Sequence, residues 1–260
     1  MAGLYQRFRD AGYALPKFLL PFRGKTTLEH VIGEMVHSKG GRGVFRHVML
    51  IANERDRAFA GSVDSVLSRV GLGASSVHVN WVPDTRGQAH TAALGVDALE
   101  QAWGLAELSH PVLFHNIDTI LIGRDYRSIT AELEGGTDGY IDCFDSDRPQ
   151  YSYVATDHAH PEVAVNIREK VVISRHATTG LYGFRSATDY RAWSAGVDYA
   201  KEFYISDVYR AMLRAGRRIL INTSHTGHQT IIVGTPGEYE ALATRDEVAE
   251  AKAHTQGVAR

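Results

Sequence analysis

Apolar positions along the chain recur with two periods. In residues 27–38, Leu28, Val31, Ile32, Met35 and Val36 repeat at helical spacing and share one face. Residues 55–70 and the alanine-rich stretch 88–103 read the same way. Between these stand runs of strand length: His47-Val-Met-Leu-Ile-Ala52, the alternating 76–82, and Pro111-Val-Leu-Phe-His-Asn116. The first has a wholly apolar interior, the pattern of a parallel strand covered on both faces, and the last reads as a second buried strand ending in polar residues. From Gly139 the texture shifts to shorter β-rich segments at 140–144, 151–156, 163–167 and 180–184. Residues 188–199 and 205–215 predict helices, 218–222 and 230–233 strands, and 247–260 a helix running into a polar tail.

Alternating strands and helices predict right-handed βαβ units and an open, mostly parallel sheet. No repeat or linker interrupts it, so 1–260 reads as one domain with halves at 1–138 and 139–246 and a tail at 247–260. In such sheets ligands bind beyond the carboxyl ends of the strands, where Asn116 and Asp118 fall.

Composition narrows the function classes. The chain has 260 residues, 44% hydrophobic and 22% charged, with a formal charge of −2. No basic field exists to draw nucleic acid. No apolar run suits a bilayer and the first residues lack a signal peptide's hydrophobic stretch, which together predict a cytoplasmic protein. Cys143, the single cysteine, excludes an internal disulfide and a thiolate metal cage. The sequence contains no Gly-x-Ser-x-Gly elbow, no complete P-loop and no Gly-x-Gly-x-x-Gly after a strand. Asp157-His158-Ala-His160 and His225-Thr-Gly-His228 lack helical ligand spacing with a third partner and read as solvated loop histidines.

Candidate chemistry gathers in residues 1–17. Gly3 would let backbone N–H groups approach phosphate oxygens. Arg7 offers a forked donor and Lys17 a compact point charge. Two such cations would offset the charge that builds as an α-phosphate is attacked. The same residues equally describe a surface loop with solvated charges. Further along, the Gln88 amide can read a base edge, while Asp84 or Thr85 can cap the helix that follows. Asp118 is a hard oxygen donor suited to Mg²⁺, or a turn residue. Glu169-Lys170 taken alone is a solvated strand edge.

The blocks in order resemble the sugar-phosphate nucleotidyltransferases, and within them a branch of capsule and phospho-conjugate pathways. The resemblance rests on Met1-Ala-Gly-x-x-x-Arg7-Phe8, Ala11-Gly-Tyr13, Pro16-Lys17, the run from Gly24 to His30, Gly87-Gln88-Ala89 and Gly180-Leu-Tyr-Gly-Phe184. It implies an α/β fold of GT-A-like, three-layer, Rossmann-like form. The activity it implies is transfer of NMP from an NTP to a phosphorylated acceptor, with pyrophosphate released. The acceptor would be a sugar 1-phosphate or a small phospho-compound. Arg7 and Lys17 would then be catalytic, and Ala2, Gly3, Gly87, Gln88 and Asn116 would bind the nucleotide. Asp118 would hold Mg²⁺, while Glu169, Lys170 and Gly180 would bind the acceptor. The half at 1–138 would serve the nucleotide and the half at 139–246 the acceptor.

Three further points follow from the resemblance. The family places an Ile- and Val-rich strand ahead of the glycine loop, whereas this chain begins inside the loop; the expectation is a start set too late. Losing such a central strand would forgo several buried apolar side chains at roughly 1.5–3 kcal/mol each. Ile232 stands where the family has its second magnesium carboxylate, leaving the ion to Asp118, phosphates and water, or to a group such as Asp207. Residues 202–209 match the start of a family helix, with Ser206 as its N-cap. Two rivals stand beside this reading. A GT-A glycosyltransferase would normally carry Asp-x-Asp where Asn116-Ile-Asp118 stands here, and Ile232 motivates a nucleotide-binding regulatory protein with weakened catalysis. The residues leave open whether the chain forms a homo-oligomer.

Overall fold

A computed structural model describes residues 1–73, 75–196, 203–222 and 227–253. In the first part, α1 (Gln6–Asp10) precedes a short hairpin of β1 (Pro21–Phe22) and β2 (Lys25–Thr26), and α2 (Thr27–His37) follows at once. Then come β3 (Val48–Asn53), α3 (Ala60–Arg69), β4 (Val77–Val82), α4 (Gln88–Trp103) and β5 (Val112–His115). After β6 (Thr119–Ile122) and α5 (Tyr126–Glu134) the chain turns to strands: β7 (Gly139–Asp145), β8 (Ser152–Thr156), β9 (Ala164–Glu169) and β10 (His176–Phe184). It continues through α6 (Ala187–Ala195), α7 (Ile205–Arg214), β11 (Ile219–Ile221) and β12 (Gln229–Ile232), and ends on α8 (Pro236–Glu240) and α9 (Arg245–Ala253).

The predicted helices and strands form, but the sheet is mixed rather than mostly parallel. Five strands run in the order β11-β7-β10-β8-β9, and β5 adds to β10. Among the described residues only β11–β7 and the separate pair β3–β4 are parallel; β5, β7 and β8 all run antiparallel to β10. The reason is loop length. Connections of six or seven residues join β7 to β8, β8 to β9 and β9 to β10, too short for the dozen or more residues that a parallel crossover needs. The strand β5, far from β10 along the chain, also pairs with it antiparallel.

Smaller differences have local causes. The helix expected over 55–70 opens as a 3-10 turn, Glu54–Phe59, with the Asn53 side chain accepting from Arg55 N. Residues 1–17, expected as a loop, contain α1, whose Phe8 is fully buried. The pair β6 and α5 went unread because the polar turn 116–118 masked the apolar run Ile120–Ile122; Asp125 caps α5 by accepting from Ser128 N. Residues 197–199 of one expected helix and 254–260 of the expected tail lie outside the described residues, as does His225.

Successive residues of β3 point to opposite faces. Leu50 joins a core that includes Val31 of α2 and Val63 of α3, and Ile51 meets Gly95 of α4 on the other side. Helices therefore cover both faces of β3. A second core packs α4, α6 and α7 against the large sheet through Val96, Tyr190, Tyr209 and Phe184. The β6–β12 pair is fastened to that sheet by Arg124. Its guanidinium donates to Asp142 of β7 at 3.0–3.3 Å and to the Gln229 carbonyl and Thr230 hydroxyl of β12 at 3.1 and 2.7 Å. Both charged side chains are 1% exposed. No described helix is long and apolar enough to cross a membrane.

Candidate active site

A cavity of about 1120 Å³ opens at the carboxyl ends of β3 and β5. Its mouth is polar and is assembled from three turns that meet at Lys17. Pro16 leads into a single 3-10 turn, Lys17–Leu19, whose Phe18 and Leu19 are buried. That anchoring aims the lysine inward. Its ammonium donates to Asp118 Oδ2 at 3.1 Å, in the β5–β6 turn, and to the Gly234 carbonyl at 2.5 Å, in the β12–α8 turn. It also lies 5.3 Å from the centre of the buried Phe8 ring.

The other predicted nucleotide residues surround this point. Arg7 projects from α1 into the lining, exposed, with no hydrogen bond or ion pair among the described residues. Gly3 also lines the mouth, and a Cβ on it would meet nothing within 4 Å. The packing of the fold therefore does not demand a glycine there. Ala2 is buried, its carbonyl 3.5 Å from the Asn53 amide nitrogen. At the head of α4, Gln88 donates to Asn116 Oδ1 at 2.5 Å and accepts from Ile205 N at 3.4 Å. Gly87 is the helix cap, and no side chain caps the helix. Asp84 and Thr85 are therefore not caps: Asp84 binds Asn53 and Arg55, and Thr85 binds Thr91. Gly87 itself has φ +114°, and a Cβ would come within 2.5 Å of the Phe203 carbonyl.

Asn116 and Gly180 are packed together. The register of β10 against β7 shifts between Thr178 and Tyr182, a bulge in which Gly180 takes φ +93°. Its carbonyl accepts from Asn116 N at 2.9 Å. His115, in β5, sits in the lining with its Nδ1 2.7 Å from the Asn116 carbonyl; burial pulls its pKa down, so the ring is neutral. Nδ1–H donates, which leaves Nε2 a buried acceptor without a partner among the described residues.

The acceptor pair stays in contact, Lys170 Nζ 3.9 Å from Glu169 Oε1, but only one of the two lines the cavity. Glu169 lines the cavity, its Oε2 accepting from the Ser152 and Ser206 hydroxyls. Lys170 lies outside the lining in a left-handed conformation at φ +53°. Its ammonium donates to the Tyr204 hydroxyl at 2.8 Å and stands 4.7 Å from that ring's centre. Ser206 is not the N-cap of α7. Tyr204 holds that position without a side-chain cap of its own, and Asp207 Oδ2 accepts from Tyr204 N at 3.2 Å. With Oδ1 on Arg210 at 2.5 Å, Asp207 is committed to its own helix and absent from the lining. It cannot replace the missing carboxylate.

Ile232 does line the cavity, paired in the strand ladder with Thr119, next to Asp118. The carboxylate near Asp118 is one the sequence reading passed over. A Cβ on Gly234 would lie 3.3 Å from Asp118 Oδ2 and 3.4 Å from Glu238 Oε2, so the two acids flank one glycine. Thr235-Pro-Gly-Glu238 is a capping-box pattern, visible in the sequence as such, and Glu238 Oε1 accepts from the Tyr151 hydroxyl at 2.9 Å. No cluster of three or more His, Cys, Asp or Glu suited to a metal occurs among the described residues.

Solved structures match this architecture over nearly its whole length. A nucleoside-diphosphate-sugar pyrophosphorylase from Vibrio cholerae RC9 superimposes with a TM-score of 0.77 at 25% identity, covering 93% of this chain and 97% of its own. The fold is that of the nucleotidyltransferases. A Bacillus anthracis protein assigned as a glucose-1-phosphate thymidylyltransferase, in complex with a sucrose, gives 0.71 at 17% identity, over 97% of this chain and 93% of that one. The inositol-1-phosphate CTP transferase of T. maritima gives 0.69 at 15%, over 100% and 95%. Neither a protein-family model nor a curated relative matches the sequence.

Proposed function

We propose that this protein is a nucleotidyltransferase that joins the nucleotidyl group of an NTP to a phosphorylated acceptor. The observation that carries the reading is the convergence of Lys17, Asp118 and the Gly234 carbonyl in the mouth of a large cavity at the strand ends. A phosphate oxygen of the acceptor attacks the α-phosphorus, and the bond to the departing pyrophosphate breaks. The attacking oxygen is already anionic, so no general base and no covalent intermediate are needed. Catalysis then consists of alignment and charge stabilisation.

Lys17 is the pivot. Its charge faces Asp118 in the free protein and turns to the triphosphate when nucleotide binds, adding to the forked donor of Arg7. Backbone beside Ala2 and Gly3 approaches the phosphates. The Gln88–Asn116 pair stands where a base edge would be read, and Gln88 keeps one amide N–H beyond those already bonded. On the acceptor side, Glu169 accepts from hydroxyls, Gly180 shapes the wall, and Lys170 answers the acceptor phosphate on release from Tyr204. The acceptor is a phosphorylated sugar or a small phospho-compound.

Asp118 would hold Mg²⁺ together with phosphate oxygens and water; Glu238 faces it across Gly234 and could join only on leaving its own partners, the Thr235 N–H and hydroxyl and the Tyr151 hydroxyl. The ion would neutralise charge on the phosphate oxygens. Ile232 contributes nothing to it.

The test is a pyrophosphate-release screen of NTPs against phosphorylated acceptors. Lys17→Ala is expected to lower kcat by about 10²–10³, the loss typical of one charge-stabilising donor, with an unchanged circular dichroism spectrum. An unchanged rate would remove Lys17 from the mechanism. Release of nucleotide from a sugar nucleotide, without pyrophosphate from any NTP, would make the protein a glycosyltransferase instead.

A further inference from the structure

Gly180 can hold Asn116 in place only if the bulge around it is itself held. Its φ of +93° is one of many open to a glycine, so nothing in the residue selects it. The selection falls to Thr179. That residue belongs to the cavity lining and is nonetheless buried, at 3% exposure. A threonine hydroxyl has one proton to donate and lone pairs to accept with, and the fold uses both. The proton is directed at Asp142, with Oδ2 at 2.8 Å and the carbonyl oxygen at 3.2 Å. The hydroxyl oxygen accepts from Leu181 N at 3.3 Å. One group thus ties the strand ahead of the glycine to β7 and the backbone behind it to Thr179.

Asp142 is anchored in turn. It is buried in β7, and Oδ2 also accepts from Arg124 Nε at 3.1 Å and Nη2 at 3.0 Å. An ionised acceptor makes the bond from Thr179 stronger than a neutral one would, and a buried network whose members are all bonded holds its geometry. Thr178, also buried, closes the other end of the bulge, its hydroxyl 3.0 Å from that of Tyr182.

From the bulge a chain of contacts runs to the mouth of the site. The Gly180 carbonyl accepts from Asn116 N at 2.9 Å, Asn116 Oδ1 accepts from the Gln88 amide at 2.5 Å, and Gln88 Oε1 accepts from Ile205 N at 3.4 Å. Gly180 and Asn116 also touch so closely that even a Cβ on the glycine would fall 2.4–2.7 Å from three Asn116 atoms. A displaced bulge therefore pushes Asn116 rather than being absorbed by slack.

We propose, on the reading above in which Gln88 meets the base, that Thr179 is a positioning residue for the nucleotide: through Gly180 and Asn116 it sets where the Gln88 amide stands. It meets no substrate itself, because both functions of its hydroxyl are committed within the fold.

The test compares Thr179→Val with Thr179→Ser and Tyr153→Phe. Valine keeps the shape and loses the hydroxyl, whereas serine keeps the hydroxyl. Tyr153 is buried in β8 outside the lining and donates to the Arg148 carbonyl at 2.6 Å, so its phenylalanine variant loses a comparable bond elsewhere. Thr179→Val should raise the KM for the NTP about tenfold and leave kcat within about twofold, the sign of binding lost equally from ground state and transition state. Thr179→Ser should restore most of the loss, and Tyr153→Phe should lower Tm without moving KM. Amide exchange followed by NMR reads the chain without turnover: in Thr179→Val the Asn116 and Ile205 amides should exchange about tenfold faster. In the unsubstituted protein, saturating NTP should slow exchange at Leu181 N about threefold, although Leu181 is buried and outside the lining.

An unchanged KM in Thr179→Val, an equal rise in Tyr153→Phe, no rescue by serine, or unaltered exchange at Asn116 and Ile205 would each overturn the proposal. If Thr179→Val does not fold, exchange at Leu181 decides alone, and no response to NTP there overturns it. Pyrophosphate from no NTP, with faster exchange at Asn116 and Ile205 in Thr179→Val, would instead overturn the nucleotidyltransferase reading and leave the positioning chain standing.

Discussion

Replacing Gly180 with alanine strikes the candidate site at two points. The first is the backbone. At φ +93° an L-residue pays for a crowded Cβ, about 1–2 kcal/mol. The second is Asn116, whose Nδ2 would lie 2.4 Å, and whose Cβ and Cγ 2.7 Å, from the new methyl group. Relieving that overlap adds about 1–3 kcal/mol, the usual cost of overpacking. Together the change costs about 2–5 kcal/mol, and at about 2–4 °C per kcal/mol for a domain of this size Tm falls by roughly 5–15 °C. Gly104→Ala is the control, because Gly104 has nearly the same φ, +95°, and nothing within 4 Å of a Cβ. It should lose the backbone part only. Adding Asn116→Gly, which removes all three crowded atoms, to Gly180→Ala should recover much of the excess, a coupling that distant sites would not show. Because Asn116 also holds Gln88, and Gln88 holds Ile205 N, the KM for nucleotide should rise with Gly180→Ala and not with Gly104→Ala. Equal losses of Tm in the two glycine variants would refute the reasoning.

Other expectations follow from the same contacts. Arg124→Met strands Asp142 at 1% exposure and should cost about 3–5 kcal/mol in urea unfolding, while Arg124→Met with Asp142→Leu should recover most of it, since a buried ion pair gains little over an apolar one. Burial pulls the Met1 α-amino group from its ordinary 8.0 to about 6, against the pull of Asp118 and Asp56 that raises it and with a smaller push from Lys17 that lowers it. Between pH 6 and 8 the unfolded chain then binds more protons than the folded one, so stability should rise with pH across that window, by up to about 2–3 kcal/mol; acetylating Met1 should flatten the profile. Ile232→Asp places a carboxylate beside Asp118 and should tighten the Mg²⁺ half-saturation of pyrophosphate release by about tenfold, a step of ~1.4 kcal/mol; an unchanged value would put the ion elsewhere.

Local pattern made much of the protein legible. The helical period of residues 27–38 and 88–103 and the apolar runs at 48–53 and 112–115 survive almost residue for residue, because each buries one stripe or both faces of its element. The cationic loop was legible too. Lys17 and Asp118 lie 101 residues apart in sequence and 3.1 Å apart in space, as their places before one strand and after another imply. Where the reading failed, a short-range signal had competed with a long-range one. Ser206 looks like a cap, but the turn preceding α7 brings Tyr204 to that position and leaves Ser206 for Glu169. Glu238 reads as a capping residue, which it is; nothing in Thr235-Pro-Gly-Glu238 tells of Asp118 across Gly234.

Hydrophobic period and glycine placement thus determined the elements, the order in which they alternate, and the cations and acids available for chemistry, since these depend on residues a few positions apart. Which strand pairs with which, and in what sense, was decided only by the tertiary structure. Apolar strand residues bury equally well against parallel and antiparallel neighbours, and the short loops after β7 chose for them. The same holds for the staple of Arg124 and Asp142 and for the placing of Glu238 opposite Asp118 across Gly234. Each is made by surfaces that meet only when distant parts of the chain have packed.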